Sequence, residues 1–309
     1  SGEQEMVISV WDPTDKGFQP AGKQTLSPRG IWYTSTSGIW QTVWLEPVPL
    51  ISIQDIKMDT DIDRKTVSVS VDGNKSLSGF RIDATVYEKG KKVATGNGIP
   101  GKELILNLNE TRLWSPDTPF LYDLTISLSK NGNKVDEVKS YFGMRKIALG
   151  KDDQGITRLF LNNKPVFQFG PLDQGFWPDG IYTAPTDEAM KFDIIKTKEW
   201  GFNLIRKHVK VEPQRWYYYC DSIGLLVWQD MPNGDKHIKK DESDIERTAQ
   251  SAFDYKQELG DMISNLYNHP SIVTWVPFNE GWGQFQTKEI AEFVKGLDPT
   301  RLVNATTGW

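Results

Sequence analysis

The ten residues 274–283, TWVPFNEGWG, join an apolar run to two adjacent polar side chains, Asn279 and Glu280. A strand buried in a parallel sheet has such an apolar run, and polar residues follow where the strand leaves the sheet. An ordinary strand that leaves a hydrophobic core has the same pattern. This stretch alone therefore leaves two interpretations open, and the flanking sequence has to decide between them.

Strand-like and helix-like segments alternate on both sides of this stretch, from Gly150 to the end of the chain. Strands are predicted at residues 166–169, 203–206, 225–228, 272–278 and 302–306. Helices are predicted at residues 186–200, with Thr186 as the N-cap, and at 213–223, 245–267 and 290–294. Strict alternation of strand and helix predicts a parallel α/β sheet.

Two α/β architectures compete, an open doubly wound sheet and a closed eight-stranded barrel. No Gly-x-Gly-x-x-Gly turn or Walker-type loop follows a predicted strand, which weakens an open sheet that binds nucleotides. We therefore favour the barrel. Because five strands cannot close an eight-stranded barrel, we expect the numbered chain to stop partway through this domain.

Residues 50–142 follow a different rhythm, with apolar residues at every second position in short segments. The alternating apolar positions are Val67, Val69 and Val71; Phe80, Ile82, Ala84 and Val86; Leu104, Leu106 and Leu108; and Tyr122, Leu124, Ile126 and Leu128. Period-two runs of this kind, separated by turns such as Asp72-Gly73, predict an antiparallel sandwich with one buried face on each sheet. Because the segment has no cysteine, we expect an immunoglobulin-like sandwich without the disulfide.

The first 48 residues contain one segment typical of a strand, Gly38–Leu45, before a break at Glu46–Pro49. Two prolines within that break cannot lie inside a central strand. Fewer than 50 residues make a poor independent domain. We expect either the remnant of a larger β domain or a piece that packs on its neighbour.

Composition excludes several classes of partner. The 309 residues carry a formal charge of −5 and no dense Lys/Arg block, which argues against nucleic acid or an anionic membrane as the main partner. The sequence contains no uninterrupted stretch of about 18 apolar residues, so we predict no membrane span. The single cysteine, Cys220, excludes an intrachain disulfide and is predicted to be a buried packing residue. The aromatic content of 12% permits stacking on sugars without establishing it.

Polar side chains mark the carboxyl ends of the predicted strands, where the chemistry of a barrel takes place. These candidates are Asp173, Arg206, His208, Asp230, Asn279 and Glu280. A carboxyl group flanked by Trp275, Phe278 and Trp282 is expected to be desolvated, and desolvation favours its neutral, proton-donating form. Glu280 is thus a candidate general acid, and Trp282 a candidate substrate contact.

Structural roles compete with these functional ones. Glu280 can instead cap a helix or pair with a lysine, and Arg206 can be an ordinary ion-pair partner. Asp230 can hold its own loop rather than bind a ligand. The three histidines, at 208, 237 and 269, lack the spacing of a metal site, so we predict no metal and no cofactor.

The run from Asn268 to Gly281, NHPSIVTWVPFNEG, resembles the signature of glycoside hydrolase family 2, which contains β-galactosidases, β-glucuronidases and β-mannosidases. Four other segments resemble the family in the same order: Gly38–Leu45, Phe142–Lys146, Asn203–Arg206 and Cys220–Val227. The resemblance implies a jelly-roll remnant at residues 1–48, an immunoglobulin-like β-sandwich at 49–145 and part of a TIM (β/α)8 barrel at 146–309.

The resemblance also implies a retaining β-glycosidase in which Glu280 is the acid/base, Asn279 holds the sugar 2-hydroxyl and Arg206 supports the carboxylates. The nucleophile of such an enzyme lies on strand seven, beyond Trp309, so the chain alone is expected to be inactive. The expected partner is an oligosaccharide or glycoconjugate, with homo-oligomerisation left open. His208 departs from the family's usual run after the arginine, which leaves its role open.

The sugar is left open as well. We expect a β-galactosidase-like enzyme, although Trp228–Pro232 replaces the Asp-Glu run common in β-galactosidases and is closer to mannosidase-like branches. The alternatives are a β-mannosidase or β-glucuronidase type of the same family, or a non-catalytic carbohydrate-binding or structural fragment.

Overall fold

The computed structural model describes residues 2–239 and 241–308. The first fifty residues form two very short strands, β1 (Gln24–Thr25) and β2 (Tyr33–Thr34), which pair in parallel. The strand predicted at Gly38–Leu45 is wrong: the segment has no strand neighbour among the described residues, and Val43 and Leu45 are exposed. A strand needs a partner for its backbone groups. The jelly-roll assignment of residues 1–48 stays a prediction.

Seven strands follow and form the predicted antiparallel sandwich. They are β3 (Ile53–Asp61), β4 (Thr66–Gly73), β5 (Arg81–Glu88), β6 (Lys91–Gly98), β7 (Leu104–Asn107), β8 (Tyr122–Lys130) and β9 (Asn133–Phe142). One sheet has the order β3-β4-β7 and the other β6-β5-β8-β9. Alternate residues such as Val69 on β4 and Ala84 on β5 are fully buried between the sheets, which confirms the sandwich.

A small antiparallel sheet links the sandwich to the α/β region. Its strands are β10 (Ile147–Lys151), β11 (Thr157–Leu161) and β12 (Lys164–Pro165). Just before it, the guanidinium of Arg145 donates to the carbonyls of Pro270 and Ile272, at 3.0 and 3.1 Å. The motif at Phe142–Lys146 therefore fastens the sandwich to the loop and strand that lead to the TWVPFNE run.

The α/β region alternates as predicted. Its elements are β13 (Leu172–Asp173), α1 (Asp187–Glu199), β14 (Leu204–Lys207), α2 (Gln214–Ile223), β15 (Leu226–Asp230), α3 (Ala249–Leu266), β16 (Ile272–Val276), β17 (Phe278–Asn279), α4 (Thr287–Leu297), β18 (Leu302–Val303) and β19 (Thr306–Thr307). Strands β13-β14-β15-β16-β18 form one parallel sheet in chain order, and β17 pairs in parallel with β19. This order is that of consecutive strands in a partial TIM barrel, which confirms the predicted fold class.

Two strand predictions differ from the structure. Residues 166–169 form no strand, because the side-chain amide of Asn203 bonds to the carbonyl of Phe167 and the N–H of Phe169 in place of a strand ladder. The first parallel strand is instead β13. The segment predicted as strand 302–306 divides into β18 and β19, and β19 continues the pairing beside Asn279.

The sheet separates two cores. Residues such as Ile205, Val227 and Trp275 pack against the helices, together with the buried Cys220, whose structural role was predicted. Leu204 and Leu226 pack on the other face. Among the described residues, no helix combines the length and apolarity needed to cross a bilayer.

Candidate active site

The carboxyl ends of strands β14, β15 and β17 bring Arg206, Asp230 and Asn279 together. Arg206 is the third residue of β14, whereas Asp230 and Asn279 are the last residues of β15 and β17. Because successive side chains on a strand point to opposite faces, Arg206 lies on the sheet face opposite its neighbour Lys207. The candidate cluster is therefore on the inner side of the partial barrel.

Arg206 binds Asp230 through two parallel hydrogen bonds. Nε donates to Oδ1 at 2.9 Å and Nη2 donates to Oδ2 at 2.8 Å, and the Asp230 side chain is almost completely buried. The same Nη2 donates to Oδ1 of Asn279 at 2.9 Å. Thr307 on β19 donates to the same oxygen at 2.9 Å. Two donors on the oxygen fix the amide orientation, so Nδ2 of Asn279 is directed away from the cluster and can donate to a ligand.

His208 joins this cluster through Asp230. Its Nδ1 lies 3.0 Å from Oδ2 of Asp230, and the backbone N–H of Val209 donates to the same oxygen at 3.3 Å. Asp230 thus accepts from an arginine, a histidine and a backbone amide. The occupied carboxylate is a positioning group, because its lone pairs are engaged.

Asp173 is placed apart from these residues. It pairs in register with Lys207, and the Lys207 ammonium donates to Asp173 at 2.5 Å and to Glu212 at 3.0 Å on the helix side of the sheet. Burial alone lowers the pKa of Lys207, but the carboxylates of Asp173 and Glu212 raise it above its ordinary range. The structure therefore does not bring Asp173 to the Arg206–Asn279 cluster, and its role as a substrate contact stays a prediction.

Glu280 follows Asn279 in a tight turn beside the Arg206–Asp230–Asn279 cluster, and we call the region around Glu280 and Trp282 the mouth of the cluster. Its φ is +50°, and the next residue, Gly281, has φ +72°. The backbone N–H of Glu280 donates to the carbonyl of Thr307 at 2.9 Å, and that of Trp282 donates to the carbonyl of Asn279 at 2.9 Å. A left-handed backbone at a bulky residue stores strain that the surrounding structure must hold in place, and such residues cluster at functional sites.

The expected desolvation of Glu280 is wrong. The residue is exposed, because Trp275 and Phe278 point into the helix-packed core and leave only Trp282 near the turn. Trp275 and Phe278 lie five and two positions before Glu280 in the sequence, but their side chains belong to the helix-packed core. The exposed carboxyl can accept a ligand, and any desolvation has to come from that ligand.

Aromatic rings that the sequence interpretation did not select line the same mouth. Trp282 stacks on His237 at a centroid distance of 5.3 Å and on Trp32 at 5.0 Å. Burial lowers the pKa of His237, which favours the neutral imidazole. Trp32 and His237 are distant from the TWVPFNE run in sequence, and no local pattern marks them, so only the fold could identify them.

Trp32 belongs to a segment that we name the N-terminal arm, residues 12–36. The N–H groups of Ala21 and Gly22 donate to the carbonyl of Asn233 at 2.8 and 3.0 Å. A Cβ at Gly234 would lie 2.2 Å from the carbonyl oxygen of Gln19, so the close approach requires glycine. The arm is thus held against the loop that follows β15.

The arm also supplies Lys23, a buried cation next to the site. Its Nζ lies 5.6 Å from the centroid of the Trp282 ring. Burial lowers the pKa of Lys23, and the negative charge of Glu280 partly offsets this effect. The exposed carboxyl of Glu280 thus has a fixed amide on one side and a buried ammonium in its neighbourhood.

The arrangement suits proton transfer to a bound polar ligand. Glu280 offers an accessible carboxyl, Asn279 offers an oriented N–H donor, and Trp282 offers an apolar surface. Among the described ranges, no three side chains of the His, Cys, Asp or Glu type come together as a group that could hold a metal ion.

The sandwich and the α/β region both match models of one known family. The model described as glycosyl hydrolases family 2 matches residues 51–145, and the model of the TIM barrel domain of the same family matches residues 157–308. The two matches cover the sandwich and the α/β region and include the whole Arg206, Asp230, Asn279 and Glu280 cluster.

Curated relatives agree with these matches. A β-galactosidase of Vibrio vulnificus (strain YJ016) is 27% identical over the whole chain, and one of Photobacterium profundum is 30% identical over the whole chain. A putative β-glucuronidase of Formosa agariphila is 28% identical over 92% of the chain. The chain spans about 30% of the length of these relatives, with 30%, 30% and 27% of each covered.

Solved structures share the fold. A β-D-glucuronidase of Dictyoglomus thermophilum superposes with a TM-score of 0.69 at 20% identity, over 82% of this chain and 44% of that one. A β-glucuronidase of Ruminococcus gnavus solved in complex with D-glucuronic acid gives 0.66 at 22% identity, over 81% and 40% of the two chains. At 20% and 22% identity, these two structures support a shared fold and nothing further.

Proposed function

Because the chain belongs to glycosyl hydrolase family 2, we propose that it contributes the acid/base residue, Glu280, to a retaining β-glycosidase. The reaction is hydrolysis of a terminal β-linked sugar from an oligosaccharide or glycoconjugate. The observation that carries the proposal is the pairing of an exposed Glu280 with an Asn279 amide whose orientation Arg206 and Thr307 fix.

In the first step, Glu280 donates its proton to the glycosidic oxygen as the bond to the leaving group breaks. A second carboxylate attacks the anomeric carbon and forms a covalent glycosyl-enzyme. In the second step, Glu280 accepts a proton from water, and this water releases the sugar. Glu280 thus cycles between acid and base without net consumption.

The other residues of the cluster act by position. Asn279 donates from Nδ2 to the sugar 2-hydroxyl, a contact that strengthens in the transition state of glycosidases. Arg206 holds the Asn279 oxygen, and Asp230 holds Arg206. Asp230 therefore orients Arg206, Arg206 orients Asn279, and Asn279 contacts the substrate.

Asp230 is not the nucleophile in this proposal. A retaining enzyme requires two carboxyl groups about 5–5.5 Å apart with one free to attack. Asp230 is buried and accepts from Arg206, His208 and Val209. We therefore place the nucleophile outside this sequence in the native protein, in agreement with the share of the relatives' length that the chain covers.

We propose two candidate sugars for the substrate. Relatives named β-galactosidase cover the whole chain at 27% and 30% identity, so a β-galactoside is the first substrate to test. A relative named putative β-glucuronidase has a similar identity, 28%, so a β-glucuronide is the second.

The test compares the native protein with Glu280→Gln on aryl β-glycosides of graded leaving-group acidity. We expect kcat/KM to fall by about 100-fold or more for a poor leaving group such as methoxyphenol, because general acid catalysis contributes on the order of 10²–10⁴. A dinitrophenyl glycoside needs less protonation, so its first step should fall much less.

Glu292→Gln is the matched control, since Glu292 is an exposed glutamate on α4 with no role in the site. This variant should behave as the native protein does. Near-native turnover by Glu280→Gln with poor leaving groups would contradict the assignment, and binding of sugars without turnover by the native protein would favour a non-catalytic carbohydrate-binding module.

A further inference from the structure

Lys23 is an unusual residue for its environment. Only 4% of the residue is exposed, yet no carboxylate oxygen lies within 4 Å of its ammonium among the residues that the structure describes. Its ammonium also has no hydrogen-bond acceptor within that part of the chain. Lysine is almost never buried unless it is paired, because removing an ammonium from water is costly.

The backbone holds Lys23 at this position. Its carbonyl accepts from the N–H of Tyr33 at 2.9 Å, and the preceding Gly22 is bonded to the carbonyl of Asn233 at 3.0 Å. A Cβ at Gly22, whose φ is +61°, would lie 2.6 Å from the carbonyl oxygen of Val209. The arm is therefore fixed on both sides of Lys23, and the ammonium is directed over Trp282 in the mouth that contains Glu280.

The neighbouring charges do not supply a permanent partner. Arg206 and Asp230 neutralise one another, and His208 binds the same carboxylate. His237, which stacks on Trp282, is favoured as a neutral imidazole because burial lowers its pKa. Glu280 remains as a counter-charge, but it must be protonated to act as an acid. In that state the Lys23 ammonium has no ionised carboxylate partner among the described residues, and the proposed nucleophile carboxylate must stay free to attack.

We propose that Lys23 binds an anionic substituent of the substrate, a carboxylate or a sulfate ester close to the glycosidic bond. The inference rests on the proposed function, because it names the class of substrate that the same site accepts. An anion neutralises the buried ammonium and accepts hydrogen bonds from its N–H groups. A neutral hydroxyl accepts a hydrogen bond but leaves the positive charge of the ammonium without a counter-charge.

The arm lies outside the residues that the two family models match, 51–145 and 157–308. Lys23 is therefore a specificity-determining residue added to the barrel site by a separate segment. The barrel residues Glu280 and Asn279 carry the chemistry, and the arm selects for charge.

The test uses the native protein and three aryl β-glycosides with one leaving group: a neutral sugar, its C6 carboxylate and its 6-sulfate. The variants are Lys23→Met and Lys23→Arg, with Lys16→Met as the control because Lys16 is an exposed lysine of the same arm. We expect Lys23→Met to lower the ratio of kcat/KM for an anionic substrate over the neutral one by about tenfold or more, mainly through KM. Lys23→Arg should retain most of the ratio.

Each outcome is informative. Loss of the ratio for one anion identifies the substituent, and loss for both supports a general anion site. An unchanged ratio for both anions in Lys23→Met, or an equal loss in Lys16→Met, would overturn the inference. If the native protein cleaves none of the glycosides, the proposed function fails separately. Thermal stabilisation by the free sugar acid and the free sugar sulfate, compared between native protein and Lys23→Met, then decides the anion site on its own.

Discussion

Arg206 and Asp230 form a two-point ion pair, with Nε to Oδ1 at 2.9 Å and Nη2 to Oδ2 at 2.8 Å, at the ends of adjacent strands. Asp230 is almost completely buried and Arg206 is mostly buried. The planar fork of an arginine matches a carboxylate in this geometry, and a lysine cannot reproduce it. The pair therefore sets the direction of the Nη2 donor that orients Asn279.

Asp230→Ala tests the stability that this pair provides. The change leaves the Arg206 guanidinium without its partner in a largely buried site. We expect the free energy of unfolding to fall by about 3 kcal/mol, because removal of one member of a buried pair leaves an uncompensated charge. Denaturant unfolding of the chain, followed by fluorescence of its tryptophans, gives the value.

Glu292→Ala provides the matched comparison. Its ion pair with Lys288 on α4 is solvent-exposed and has an N–O distance of 3.9 Å. Exposed pairs contribute little, so the loss should stay below about 1 kcal/mol. Equal losses in the two variants would show that burial of the Arg206–Asp230 pair is unimportant.

Asn279→Ala tests the donor at the substrate. The change removes Nδ2, the group proposed to bind the sugar 2-hydroxyl in the transition state. We expect kcat of the native protein to fall by about 100-fold with a smaller change in KM, since the loss of one preorganised donor costs on the order of 10²–10³. A 2-deoxy substrate should lose little further activity in the variant, and a large additional loss would count against the contact.

Gly308→Ala tests how tightly the turn at Glu280 is held. Gly308 has φ +90°, and a Cβ there would lie 3.1 Å from Cγ of Glu280. We expect displacement of the carboxyl and a fall of about tenfold in kcat/KM, because small misplacements of a catalytic group are costly. Gly79→Ala is the control, since Gly79 has φ +77° but nothing within 4 Å of the added methyl. Kinetics on the aryl glycosides should separate the two, and an equal effect would mean that the Glu280 contact is irrelevant.

Asp298→Asn tests a pH-dependent contribution to stability at the base of the barrel. Burial alone raises the pKa of Asp298, but Arg301, Thr300 and Trp275 together lower it below its ordinary value of 3.8. The folded protein therefore releases this proton more readily than the unfolded chain. Stability from Asp298 is present above about pH 4 and is lost as the pH falls through the folded pKa.

We expect Asp298→Asn to lose about 2 kcal/mol of unfolding free energy at pH 7 and to approach the native protein as the pH falls below 3.8. Urea unfolding at several pH values provides the curve. The exposed Asp153→Asn should leave the curve unchanged. A difference between Asp298→Asn and the native protein that stays constant with pH would refute the linkage.

The amino-acid sequence predicted most of the architecture for clear physical reasons. Period-two runs such as Val67–Val71 can bury one face only in a sandwich, and the strand–helix alternation after Gly150 specifies a parallel sheet. It also placed Arg206, Asp230, Asn279 and Glu280 at strand ends. It failed at residues 166–169, where the Asn203 side chain replaces a strand ladder, because a side-chain contact from a distant position has no periodic signal.

The sequence by itself determined which chemical groups lie at the ends of the strands and which family they resemble. Only the tertiary structure decided that Asp173 faces Lys207, that Glu280 is exposed, and that Lys23 and Trp32 join the site. Strand patterns depend on neighbours one or two positions away, whereas a site forms from side chains that the folded chain brings together across more than 200 residues. The Lys23 ammonium, 5.6 Å from the ring centroid of Trp282, is such a contact.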